Sequence, residues 1–487
     1  MSRRNGGIIG PTNTPVGGLF KGVAGGVWRM NDVLTFVSNN QWPSGPQSID
    51  NSCRFDDGSS DYLQRTPSSS GNRKTWTWSG WIKKSTIGSG YQFVFGSTDA
   101  STSTGSIGTN YNGDNIIYFR DDLISLNLTP NRLFRDLSAW YHVVVALDTT
   151  QSTASNRAKM YINGSQVTSF STANYPNQDT EGSINLVSGS YVHRIGSYNG
   201  SSNFFDGYLA EVVFIDGQAL DPTSFGETDS TTGIWKPKKI GSFASAGDNS
   251  FYLDFKDSSN VGNDASGLNN DFTVNNLTSI DQSTDTCVEN FATLNPLDSG
   301  TITFSDGNLT ATAGSDYQAT KGTIAVNAGK WYFEAKINAP GGGSAVDNFI
   351  GITGDNTAVT GTTYDNNPSV LYSGSGTVEK DGTTVQSSLT TFSTGTIVGV
   401  ALNMDDSEIE FYINGSKQGS TQSISSFTGF YLPFYIGANT RSASFNFGAP
   451  PYSISSGNAD ANGFGNFEYS VPSGYYALNT TNLNTYG

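Results

Sequence analysis

At 487 residues the chain is long enough for two to four domains of roughly 100 to 200 residues each. Its 26 Lys and Arg against 42 Asp and Glu give a formal charge of −16, which repels phosphate backbones and anionic bilayers, so neither nucleic acid nor membrane insertion is expected. Charged residues make up only 14% while Gly reaches 57, and 29 Phe, 23 Tyr and 8 Trp supply core volume, a profile of many short strands and tight turns that excludes a helical or disordered protein.

Residues 1–45 are rich in Gly, Pro and Asn and read as an irregular arm. They lack the apolar stretch of a secretory signal. The arm's apolar cluster, which includes Trp28, Met30, Val33, Leu34 and Phe36, is too large to leave in water and is expected to contact a partner chain. From 46 to 228 strand follows strand. Trp76 and Trp78 alternate and so share a strand face, and Trp140–Leu147 (WYHVVVAL) has the unbroken apolar run of a central sandwich strand. Tyr161–Ser165 (YINGS) places Asn-Gly between apolar alternations, the strongest short hairpin signal.

Residues 229–295 connect. Within them Phe251–Phe255 is a candidate strand that could add to the first module, and Asp264–Asn276 is expected to be loop. A second sandwich is expected over 296–448, where Tyr412–Ser416 repeats YINGS after a second Val-Ala-Leu strand; the tail, 449–487, holds short strand candidates. No helix longer than a turn or two is predicted. The fold class is therefore all-β, two tandem antiparallel sandwiches. Cys53 and Cys287, far apart, form no disulfide framework.

The segments Arg54–Leu63 (RFDDGSSDYL), Asn72–Trp81 (NRKTWTWSGW), Phe134–Val144, Asn156–Gly164 and Phe205–Leu220 together resemble the LamG or concanavalin A-like family, in the version found in marine bacteriophage proteins. Gly329–Ile337 (GKWYFEAKI), Phe349–Ile352, Gly395–Leu402, Ile409–Gly415 and Ser444–Gly448 resemble a SPRY domain. The resemblance implies a jelly roll followed by a SPRY-type sandwich in a virion structural protein assembled in the host cytoplasm. That protein would be a tail-fibre or head-surface component, a homo-oligomer held to other virion proteins by its arm and recognising a host-surface glycan or protein. A capsid decoration protein without host ligand is the alternative reading.

Chemistry is sparsely supplied. His142 and His193 sit inside strand-like runs without a nucleophile motif, and no P-loop or HExxH occurs, so no enzyme is expected. The rival is a glycan depolymerase: Glu408 and Glu410 flank Ile409 and share a strand face, whereas Glu211 and Asp216 fall on opposite faces. No cofactor is required. Related lectin folds hold calcium in loops, and Asp56, Asp57, Asp61, Asp114, Asp121 and Asp122 are the loop carboxylates available for it. The Trp residues at 76, 78, 81, 140 and 331 are expected in the core. Tyr111, Tyr175, Tyr198 and Tyr364, set among Asn, Gly, Pro or Asp, are the candidate platforms for a sugar ring.

Overall fold

A computed structural model describes residues 49–487 apart from 89, 99–103, 111–114, 188–190, 340–347, 357–358 and 360–367. The arm cluster of Trp28, Met30, Val33, Leu34 and Phe36 lies outside the described residues, as do Tyr111, Asp114 and Tyr364.

Two sandwiches follow each other along the chain, each of two antiparallel sheets. In the first, one sheet runs in the order Ser165–Gln166, Ala158–Ile162, Trp140–Asp148, Thr75–Lys84, Gly207–Asp216, Ser52–Phe55, Gln282–Ser283, with Phe251–Leu253 also on Gly207–Asp216. The facing sheet runs Phe170–Asn174, Leu126–Pro130, Ile117–Asp121, Thr104–Thr109, Gln92–Thr98, Val192–Ile195, Tyr62–Arg65, Thr273–Asn275. Between them the period-2 pattern buries Trp76, Trp78, Phe95, Phe119, Val143, Val145, Phe214 and Phe251 in one cluster. In the second sandwich, Lys330–Ala339 lies between Ile397–Asn403 and Ser442–Asn446, facing a sheet centred on Tyr431–Gly437 and Asn348–Gly354. Trp331, Phe333, Ile350, Val400 and Phe445 fill its core.

The segment joining the modules belongs to both. Phe251–Leu253 pairs with Val212–Phe214 as the sequence suggested, and Gln282–Ser283 extends the same sheet. The stretch expected as loop, Asp264–Asn276, contains a strand, Thr273–Asn275, paired with Tyr62–Gln64; Val274 packs on the core and draws the chain into the sheet. Trp76, Trp78 and Trp331 are fully buried core rings. Trp81 and Trp140 differ from that expectation in location: they sit on the outer face of the first sheet with Ile49 and Trp235, in a small separate cluster. Among the described residues the helices are Ala154–Arg157 and Thr480–Tyr486, with two three-residue 3-10 turns, and none is long and apolar enough to cross a membrane. Cys53 and Cys287 are both free thiols.

The two YINGS copies make the same turn. Asn163 and Gly164 take φ of 48° and 78°, and Asn414 and Gly415 take 49° and 77°, the left-handed pair a type I′ hairpin requires. The asparagine does more than tolerate that φ. Asn163 N–H donates to the His142 carbonyl (2.9 Å) while its Oδ1 accepts from the His142 N–H (2.8 Å). Asn414 bonds Ile397 in the same two ways, at 2.9 Å and 2.9 Å. Each hairpin is thereby stitched to the strand beside it. Asn414→Ala removes the side-chain acceptor and places a Cβ residue without local compensation at positive φ. A loss of about 1–3 kcal/mol in urea unfolding is expected, with Asn414→Asp retaining most of the stability.

Candidate functional site

Along the facing sheet of the first sandwich, alternation sends Ile117 and Phe119 inward and Tyr118 and Arg120 outward. On the neighbouring strand Thr104 and Ser106 flank Gly105 and face away from the inward Ile107, and a register shift between Phe93 and Phe95 turns Phe93 to the outer face. These side chains, with Tyr91, Asp122, Tyr198 and Asn203, line a groove of about 210 Å³. Two perpendicular ring pairs build its walls: Tyr91 against Tyr118 (6.4 Å, 88°) and Phe93 against Tyr198 (5.8 Å, 77°). Thr104 Oγ1 donates to the Tyr198 hydroxyl (3.1 Å), and Arg120 Nη2 reaches Asp122 (3.2 Å) at the rim.

Glycine makes room for this. A Cβ at Gly108 would stand 2.5 Å from the Tyr118 hydroxyl, and one at Gly96 would stand 2.5 Å from the Phe93 ring, so both rings lie down across the sheet only because those positions are bare. Tyr91 remains 37% exposed. Aromatic walls with hydroxyl, amide and guanidinium groups between them suit a ligand with apolar C–H faces and many hydroxyls. The groove is smaller than the roughly 300–1,000 Å³ of sites that enclose a drug-sized ligand, which fits a chain segment held at the surface.

Of the four predicted tyrosines, Tyr198 is in this groove. Tyr175 packs against the first core and is not among its residues. Sequence reading missed Tyr91, Phe93 and Tyr118 because Tyr91–Phe95 (YQFVF) and Ile116–Phe119 (IIYF) look like core. The available signal was the glycines on adjoining strands, Gly96 and Gly108, which leave the outer sheet face bare for rings to cover. Two other surface clefts, of about 330 and 320 Å³, are lined mainly by hydroxyls, amides and carboxylates and carry no comparable ring cluster.

The other singled-out residues are committed elsewhere. His142 is buried; Trp235 Nε1–H donates to its Nδ1 (3.0 Å), so Nε2 carries the proton and donates to Ser79 Oγ (2.9 Å). Burial holds its pKa near 3, and His193, enclosed beside Phe95 and Phe214, is likewise lowered to about 3 by burial and then by Arg65. Neither exchanges a proton with solvent near neutrality. Glu410 is bound by Lys417 (2.6 Å), Thr421 (2.7 Å) and Tyr412 (2.8 Å); its carboxyl lies below the usual range because these bonds outweigh its desolvation, while Glu408 beside it is exposed. Among the loop carboxylates, Asp121 is spent on Ser183 N (2.7 Å), Ser183 Oγ (2.8 Å) and Leu123 N (3.1 Å), and Asp61 accepts from Asp56 N (3.0 Å).

No curated protein matches this chain. Residues 57–224 match the concanavalin A-like lectin/glucanases superfamily in its laminin G form, and residues 330–450 match the SPRY domain. The chain carries both modules. Among solved structures it is similar to the SPRY domain of human HERC1, with 16% identity over 31% of this chain and 96% of that one and a TM-score of 0.28. It is also similar to the TRIM65 PSpry domain (13%, covering 32% and 91%, TM-score 0.26) and to stonustoxin (19%, covering 32% and 27%, TM-score 0.25). The fold assignment rests on the two family matches and the sheet topology. Both modules are binding-type folds and fit a recognition role.

Glu211 and Asp216 lie on opposite sides of their strand, as the odd spacing predicted. Glu211 sits at a bulge with φ 50° and accepts from the Tyr252 hydroxyl (2.7 Å), whereas Asp216 accepts from Asn72 N (2.7 Å) and Asn185 Nδ2 (2.9 Å). Burial lifts Glu211 from 4.5 to about 7, against the opposing Tyr252 bond. A carboxyl raised on folding binds more protons in the native state than in the unfolded one between those values, so its contribution falls as pH rises from about 4.5 to 7. Glu211→Gln removes that share: thermal unfolding across pH 4.5–7.5 should show a flatter decline than the wild type, by up to about 3 kcal/mol at the upper end.

Proposed function

We propose that this protein is a non-enzymatic recognition component of a phage particle, and that its lectin-like module takes a host-surface glycan in the groove between Tyr91, Phe93, Tyr118 and Tyr198. The observation that carries this reading is the pair of perpendicular aromatic walls laid across bare glycines with polar groups between them. Phe93 and Tyr118, 2% and 3% exposed, form the floor, and the ring surface open to a ligand belongs to Tyr91 and Tyr198. The phage setting draws on the sequence resemblance, in which the same two modules occur together. The non-enzymatic part draws on the groove's donor set and on the engagement of His142, His193 and Glu410 described above. In this reading the arm holds the chain to other virion proteins while the groove faces outward.

Titration of the full chain with host-surface polysaccharide fragments, read by calorimetry or a glycan array, tests it. Tyr91→Ala and Tyr198→Ala should each weaken binding about 2- to 12-fold, the equivalent of one lost ring contact of about 0.5–1.5 kcal/mol, with unfolding midpoints close to wild type for Tyr91→Ala. Wild-type affinity in both variants, or release of new reducing ends from the polysaccharide, would overturn it.

A further inference from the structure

On the outer face of the sheet that carries the groove, one row of residues crosses five strands. Gln64 stands opposite Arg194, Arg194 opposite Gly96, Gly96 opposite Ser106, and Ser106 opposite Arg120. Cross-strand partners share a face, and the sequence neighbours Ile195, Phe95, Ile107 and Phe119 all point into the core, so this row points out. Ser106 and Arg120 line the aromatic groove. Arg194 stands two strands from Ser106, roughly 10 Å at the backbone. Between them lies the bare Gly96, with the Phe93 ring against it. Arg194 thus borders the floor ring of the groove from the side opposite Arg120.

The two arginines of the row differ in what they hold. Arg120 Nη2 bonds Asp122 (3.2 Å). Arg194 is half-buried and has no carboxylate: its Nε and Nη1 are sealed from solvent without an acceptor, and among the described residues no group bonds its Nη2. Burial lowers the Arg194 pKa, and the one opposing influence is the Tyr62 phenol, so no acid of the protein acts on it. Arg54 and Arg73 of the same module, by contrast, reach Asp281 (3.4 Å) and Glu181 (2.8 Å). A partly desolvated guanidinium without a counter-charge is costly, and an anion accepting from Nη2 supplies what is missing. The net charge of −16 opposes such a ligand only at long range: screening at physiological ionic strength sets in over about 8 Å, whereas a charge-assisted hydrogen bond acts at contact in a partly dry site.

We propose that the glycan taken by this groove is acidic, and that an anionic oxygen group on one of its sugars, a carboxylate or a sulfate or phosphate ester, accepts from Arg194 while a neighbouring sugar lies against Tyr91 and Tyr198. This rests on the glycan reading of the groove. An oligosaccharide array of matched sets tests it, each set holding a neutral parent, its uronate counterpart, the methyl ester of that uronate, and sulfated and phosphorylated forms of the parent. The full chain should bind at least one anionic form about 10- to 100-fold tighter than the parent and the methyl ester, the worth of one charge-assisted hydrogen bond. The form that gains identifies the anionic group. Arg194→Gln should bind that form no tighter than the parent, with an unfolding midpoint close to wild type because no protein partner is lost, and Arg194→Lys should keep part of the preference. Tyr91→Ala should weaken parent and anionic form alike. Neutral parents bound as tightly as every anionic form would overturn the acidic ligand and leave the glycan groove standing. An anionic preference that survives in Arg194→Gln would overturn the role of Arg194, and absence of binding across all sets would overturn both readings.

Discussion

The arrangement of the two modules depends on one buried ammonium. Lys83, fully enclosed at the end of a strand of the first sandwich, donates to Asp285 (2.7 Å) and to Asn290 Oδ1 (2.7 Å) in the segment that leads to the second. Asp285 also accepts from Trp140 Nε1 (3.1 Å), and Asn290 Nδ2 returns to the Ser138 carbonyl (2.7 Å). Isolated in that setting either charge would cost several kcal/mol, so the pair holds only if both partners and their extra hydrogen bonds are in place together. Burial raises the Asp285 carboxyl, and Lys83 is the chief opposing influence. The connecting segment is consequently not a free tether: its course over 282–290 is set by groups of the first sandwich.

The same segment is gripped from the other side. Asn290 N–H donates to Thr480 Oγ1 (3.1 Å), Thr480 N–H donates back to the Asn290 carbonyl (3.0 Å), and Ala292 N–H donates to the Leu478 carbonyl (2.9 Å). The tail that provides these partners is itself held to the second sandwich. Tyr476–Ala477 pairs with Trp331–Tyr332, and the buried Glu334 accepts from the backbone of Glu468 (2.9 Å) and Tyr469 (2.9 Å). A chain of hydrogen-bonded polar groups therefore runs from the buried Lys83 through the half-buried Asn290 to the exposed Thr480 at the C-terminal helix, and Arg54 adds a parallel bond to Ile280 (3.0 Å) and a long one to Pro450 (3.5 Å). Such a joint fixes the placement of the second module on the first.

Much of this fold is written in short-range pattern. The Trp76 and Trp78 alternation, the apolar run of Trp140–Leu147 and the two Asn-Gly hairpins each follow from local period or from the φ a turn demands, and each is where that logic puts it. What escapes a sequence reading is whatever depends on which face a residue takes after an irregularity or on residues distant in the chain. Phe93 and Tyr118 read as core because aromatic residues occupy both faces of their sheet, and a register shift decides the matter for Phe93. Thr273–Asn275 was hidden in a turn-rich stretch because its partner strand lies over two hundred positions earlier. Asp56 and Asp57 were visible as loop carboxylates, but their association with Asp206 and Asp306 exists only after both modules have folded.

Tyr208 links the two electrostatic features of the seam. Its ring lies 5.4 Å from Lys83 Nζ and 6.2 Å from the Trp140 ring, and its hydroxyl reaches the Gly307 carbonyl that caps the carboxylate cluster. On the Lys83 side every buried charge has an opposite charge in contact. On the Asp206 side three acids of the first sandwich and one of the second face each other with none. Within one seam, spanned by one side chain, the fold holds both a compensated pair and a cluster of like charge. A cluster of like charge at a joint weakens the joint while its members are ionised, and burial together with the neighbouring acids raises the Asp206 carboxyl, which eases that repulsion.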